Sequence, residues 1–144
     1  MMFVQDRDSS RRYFTDVWRK HNEKKIILEP LEQQILNVIL EHPEYHQFLN
    51  DEEKAMNFEV AQGQGESNPF LHMGMHIAIR EQVQFDRPTG VRTIYGSILD
   101  EGKKAKHELE HLMMECFGKM LWQAQLANKV PDENEYLDCL KKLS

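Results

Sequence analysis

The chain carries seven histidines, at positions 21, 42, 46, 72, 76, 107 and 111, and three pairs of them stand four residues apart: His42/His46, His72/His76 and His107/His111. Random scatter of that many histidines over this length gives about a third of one such pair, a template count of the kind used for periodicity. Residues i and i+4 of a helix lie about 40° apart around the axis and one turn apart along it, so both imidazoles point the same way. Two imidazoles so placed can chelate one borderline metal ion, at about 2.0–2.1 Å per Zn–N bond. His72/His76 falls in the helical pattern FLHMGMHIAIRE, and His107/His111 in KAKHELEHLMMECFGKMLW, with Glu108, Glu110 and Glu115 close by. Glu108 and His111 also form a Glu-x-x-His unit, the element that di-iron and di-manganese bundles turn inward. His42/His46 straddles Pro43, so the two need not share a face, and His46 is favoured over His42. The expected ligands are therefore His72, His76, His107 and His111, with His46 a further candidate and Glu108 as ligand or general base. The expected ion is a divalent transition metal, zinc, iron or manganese, in a mono- or dinuclear site. Met73, Met75, Met113 and Met114 flank the histidines and would suit Cu(I). Methionines on bundle helices are more often core filler.

Other readings of the same residues stay open. A lone helix histidine is usually a satisfied polar group, and a buried imidazole–carboxylate network needs no metal. In that case the chain is a helical adaptor whose apolar faces bind a partner helix. His107-Glu-Leu-Glu-His111 also fits the zinc-peptidase pattern, with Glu108 as base, and its inverted form, with Glu110 as base; either would draw a third ligand from Glu133 or Glu135. A charged Glu110 inside the motif and the lack of a strand on which to align a peptide argue against it.

The elements that must position these groups read as helices throughout. Ser9 or Ser10 can cap a first helix to about Asn22, with Phe14, Val17 and Trp18 buried. Pro30 opens a second, striped by Leu31, Ile35, Val38 and Ile39, and Pro43 interrupts the pattern. The stretch 62–68 is a loop whose two glycines lack the rest of a dinucleotide fingerprint. Asn68-Pro69 starts a third helix over about 69–85, and the turn 86–90 leads into a helical region over about 91–128, bent or broken near Gly102. In a straight hairpin of those two segments, position 72 stands opposite about 103, which leaves His107 about one turn too far along; a break at Gly102 absorbs the offset. Pro131 precedes a last helix with Tyr136, Leu137 and Leu140. The expected architecture is an all-α bundle of about five to six helices with a long antiparallel hairpin.

Composition sets the class. With 144 residues, 40% hydrophobic and 29% charged, the chain reads as one globular domain, 1–144. No apolar run is long enough for a membrane span, and charge near the start, where a signal peptide needs its apolar region, argues against export. A cytoplasmic protein is expected, with Cys116 and Cys139 reduced. The net charge of −6 disfavours a nucleic-acid partner. The first 25 residues are basic in part (Arg7, Arg11, Arg12, Arg19, Lys20, Lys24 and Lys25), but Asp6, Asp8, Asp16 and Glu23 dilute them, so a solvated helix face is expected. A small-molecule substrate, a protein partner and a homo-oligomer are all left open.

The runs HPEYH (42–46), NPFLHMGMHIAIREQ (68–82), DRPTG (86–90) and HELEHLMMECFGKMLWQAQ (107–125) resemble a family of short bacterial proteins known as domain of unknown function family 1841, and the resemblance spans nearly the whole chain. That family carries no assigned activity, so the resemblance implies no mechanism. In layout alone the chain is similar to the metal-binding helical bundles of the hemerythrin and DinB-like groups. The His-x-x-x-Glu helix and terminal His-x-x-x-x-Asp of hemerythrin are missing, which argues against an oxygen-carrying di-iron centre.

Overall fold

The computed structural model describes residues 7–24, 27–59 and 68–144. Lys25 and the glycine-bearing stretch 62–67 lie outside the described residues. Among those described, every regular element is helical: α1 Arg7–Glu23, α2 Pro30–Leu40, α3 His46–Asn50, α4 Glu52–Met56, α5 Pro69–Phe85, α6 Val91–Asp100, α7 Lys106–Ala127 and α8 Glu133–Lys141, with a 3₁₀ turn at Pro43–Tyr45. The fold is all-α, as the periodicity requires. The helices outnumber the expected five or six because two five-residue pieces, α3 and α4, follow Pro43 and because 91–128 is two helices. No described helix is long and apolar enough to cross a membrane. The chain forms two compact units, Met1–Ile77 and Ala78–Ser144, divided within α5.

In the first unit α1 packs on α2, α3 and α4. Phe14, Val17 and Trp18 meet Ile35, Leu36, Val38 and Ile39 in a core completed by Leu49, Ala55, Phe70, Met73 and Ile77. α1 already includes Ser9 and Ser10, so neither is its cap. Pro30 stands at the first turn of α2, where no N–H is needed. The Glu32 carboxylate accepts from Lys20 Nζ at 2.6 Å and from the Glu29 N–H at 3.0 Å; first Lys20 and then this N–H hold its carboxyl below the ordinary carboxylate range.

Arg11 is a buried cation of this unit, 4% exposed. Its Nη1 donates to the carbonyls of Met56 at 2.9 Å and Phe58 at 2.8 Å, with Ala55 at 3.4 Å, and its guanidinium sits 5.0 Å from the Phe70 ring centre. These carbonyls lie at and just past the end of α4, where a helix runs out of N–H donors of its own. Arg11→Met keeps the apolar stem and removes the guanidinium donor from these carbonyls. It is expected to lower stability by about 2–3 kcal/mol, read as a drop in the urea midpoint; an unchanged midpoint would show that water replaces the guanidinium at no cost.

In the second unit α8 packs on α6 and α7, and Ile79, Val91, Ile98, Leu109, Met113, Met114, Tyr136 and Leu140 are buried. The Tyr136 hydroxyl donates to Gln82 Oε1, and burial raises its pKa. The turn after α5 is organised by Asp86, whose Oδ1 accepts from the N–H groups of Gly90 at 3.1 Å and Arg92 at 3.0 Å. Arg92 Nε donates to the Val83 carbonyl at 2.9 Å, satisfying an acceptor at the end of α5. The break anticipated near Gly102 is present: that residue has φ +74°, which ends α6 before α7 begins. α7 closes on Asn128 in the left-handed conformation, with the Lys129 N–H on the Ala124 carbonyl at 3.0 Å. Leu121, Trp122 and Leu126 on its C-terminal half are exposed.

One expectation is corrected here. Cys116 and Cys139 are not free thiols but a disulfide, with Cα atoms 5.8 Å apart. The bridge forms because α8 folds back onto α7, bringing the two Cα atoms within its range. It closes a loop of 23 residues, so Cys139→Ser is expected to cost about 3 kcal/mol through the freedom returned to the unfolded chain. Thermal unfolding measures this, and the difference from the parent protein should vanish when both are reduced. If it persists under reduction, the serine acts through packing.

Candidate metal centre

The first unit assembles three imidazoles. His72 and His76 lie one turn apart on α5, and His42 comes from the turn after α2. His72 Nε2 lies 3.2 Å from His42 Nε2 and 3.2 Å from His76 Nε2. His42 is held by its other nitrogen: Nδ1 lies 2.7 Å from the Val38 carbonyl, which can only accept. The proton therefore sits on Nδ1, and the Nε2 lone pair is directed at His72, the arrangement by which an outer partner orients a metal-ligating histidine. Tyr45 stacks on the His42 ring at 5.4 Å, with planes 3° apart. His42 and His76 are 2% and 0% exposed, so both imidazoles are removed from bulk water.

His46 does not join them. Its Nε2 lies 2.7 Å from the Ile39 carbonyl and its ring packs on Trp18 at 4.4 Å. Sequence reasoning favoured His46 over His42 because Pro43 lies between them. That proline builds the 3₁₀ turn that sends the two side chains to different surroundings.

On the first turns of α7, His107 and His111 face each other with ring centres 4.3 Å apart, as i,i+4 spacing requires. Glu108, the candidate ligand or base, is exposed at the start of α7. Glu110 is 1% exposed and is occupied by Arg80, whose Nε and Nη2 each donate to it at 3.0 Å. The Tyr95 hydroxyl's pKa is raised, by burial first and by the Glu110 charge second.

The family follows from a match along nearly the full chain, residues 6–142, to the model described as Domain of unknown function (DUF1841). The chain belongs to that family. No curated protein and no solved structure matches it. The family description assigns no chemistry, so any function has to be argued from the imidazoles themselves. The signal that could have found His42 was the sequence His-Pro itself: a histidine ahead of a helix-breaking proline can turn back over the helix it has just left.

Proposed function

We propose that this family member binds a divalent transition metal, zinc, iron or manganese, through imidazoles, with His42, His72 and His76 as ligands. The observation that carries the reading is the N···N spacing around His72. Two ligands on a tetrahedral ion with Zn–N bonds of 2.0–2.1 Å stand about 3.3 Å apart, and the spacings are 3.2 Å.

Proton chemistry accounts for that spacing less well. His42 carries its proton on Nδ1, so its Nε2 can only accept while neutral. A proton on His72 Nε2 serves either His42 or His76, or both only through a split and weakened bond. A cation at the centre satisfies all three lone pairs at once. The imidazole-only donor set suits zinc, iron and other borderline ions over calcium or magnesium, which take oxygen ligands.

Metal analysis of protein made without a histidine tag tests the reading. About one equivalent of metal is expected after incubation with Zn²⁺, Fe²⁺ or Mn²⁺ and removal of excess. At a free concentration a hundredfold above Kd the ion stabilises the fold by about 2.7 kcal/mol, which raises Tm by roughly 5–10 °C for a chain of this size. Under a tenth of an equivalent, with no shift in Tm, would overturn the proposal in favour of a metal-free adaptor.

A further inference from the structure

We infer that the outer face of α7 is a surface through which two copies of this chain associate, with the two helices antiparallel. Within the second unit α7 buries Leu109, Met113 and Cys116, and helix geometry puts Trp122 about 120–180° around the axis from them. Trp122 is 60% exposed, and Leu126, one turn on, is 68% exposed. Leu121 and Val130 extend the patch, so four of the nine large exposed apolar side chains among the described residues fall within ten consecutive positions. Apolar side chains scattered singly over a surface need no cause, but a contiguous group marks an interaction site.

A second copy is favoured over an unrelated partner because this face is complementary to itself about Trp122. A two-fold axis through Trp122 sets each residue against the one equally far along on its other side. Gly118, one turn before Trp122, then meets Leu126 of the second copy, so a protruding side chain faces a residue that has none. Glu115, two turns before, meets Lys129 of the second copy, just past the helix end, and both are exposed. The symmetry makes each contact twice, so opposite charges meet at both ends of the pairing. A parallel pairing would instead set Glu115 on Glu115 and Lys119 on Lys119, which repel. Tryptophan at the centre is the residue type that most often anchors such a contact.

Sedimentation equilibrium of the full-length chain gives the test, in low salt and with a chelator present so that no metal bridges two copies. A contact between two helix faces is small, so Kd is expected in the range of about 1–100 μM, with the average mass rising towards twice the 17.1 kDa of one chain. Trp122→Glu should raise Kd by about 30-fold or more, while circular dichroism and Tm stay those of the parent because the position is exposed. Glu115→Lys alone should weaken the dimer several-fold, and Glu115→Lys/Lys129→Glu should restore it, since the exchange keeps opposite charges facing only in the antiparallel register. A parent chain that stays monomeric throughout, or a dimer indifferent to Trp122→Glu, overturns the inference; in the first case the patch serves a different protein. A dimer that the double charge exchange does not restore overturns the antiparallel pairing. None of these outcomes bears on the metal site, which lies in the other unit.

Discussion

Replacing His42 and His76 together by glutamine is expected to lower zinc affinity by more than about 100-fold. Loss of a hydrogen-bond partner behind a metal ligand already costs 10–100-fold, and this variant removes two direct donors. Glutamine keeps a polar, hydrogen-bonding side chain in each nearly buried position, so the fold should lose only about 1 kcal/mol with the bond from His42 to the Val38 carbonyl. Competition against a chromophoric chelator measures the affinity, and circular dichroism confirms the helices. His46→Gln is the matched control. Its Nε2 is committed to the Ile39 carbonyl, so its zinc affinity should stay within a few-fold of the parent's. Unchanged zinc affinity in the double variant would show that the three neighbouring Nε2 atoms are a hydrogen-bonded cluster only.

Arg80→Met is expected to be among the most destabilising single changes in the second unit, at about 3–5 kcal/mol. Glu110 is 1% exposed, and its carboxylate receives three guanidinium bonds at 3.0–3.3 Å. Without the guanidinium a carboxylate is left buried beside the Tyr95 hydroxyl, whose pKa its charge already raises. The companion Arg80→Met/Glu110→Met removes both charges and should recover most of the loss, because a buried pair is seldom worth more than apolar groups of its size. Urea unfolding of the two variants gives the coupling directly. A double variant no more stable than Arg80→Met alone would mean that the cost lies in packing rather than in the stranded charge.

Helix identities were legible in the sequence wherever a residue acts on its own backbone. Asn68 accepts the Phe70 N–H at 2.9 Å as α5 opens, Pro30 opens α2, and Gly102 separates α6 from α7. The i,i+4 histidine spacing likewise shows in the contacts of His72 with His76 and of His107 with His111. What the sequence concealed depends on contacts far apart along the chain. Whether His42 or His46 meets His72 depends on how the turn after α2 approaches α5, and hydrophobic periodicity carries no such information. The disulfide depends on α8 returning along α7, which neither cysteine's neighbours encode. The contrast between an exposed Glu108 and a buried Glu110 is a matter of helix rotation by two residues, decided by Arg80 thirty positions upstream.

The bridge between Cys116 and Cys139 turns the C-terminal part of the chain into a covalent ring. That ring contains the half of α7 bearing exposed Leu121, Trp122 and Leu126, and beyond it the still more exposed Val130. A single cut within 117–138 opens the ring without parting the molecule. Both pieces stay tethered through sulfur, and only a reductant sets the tail free.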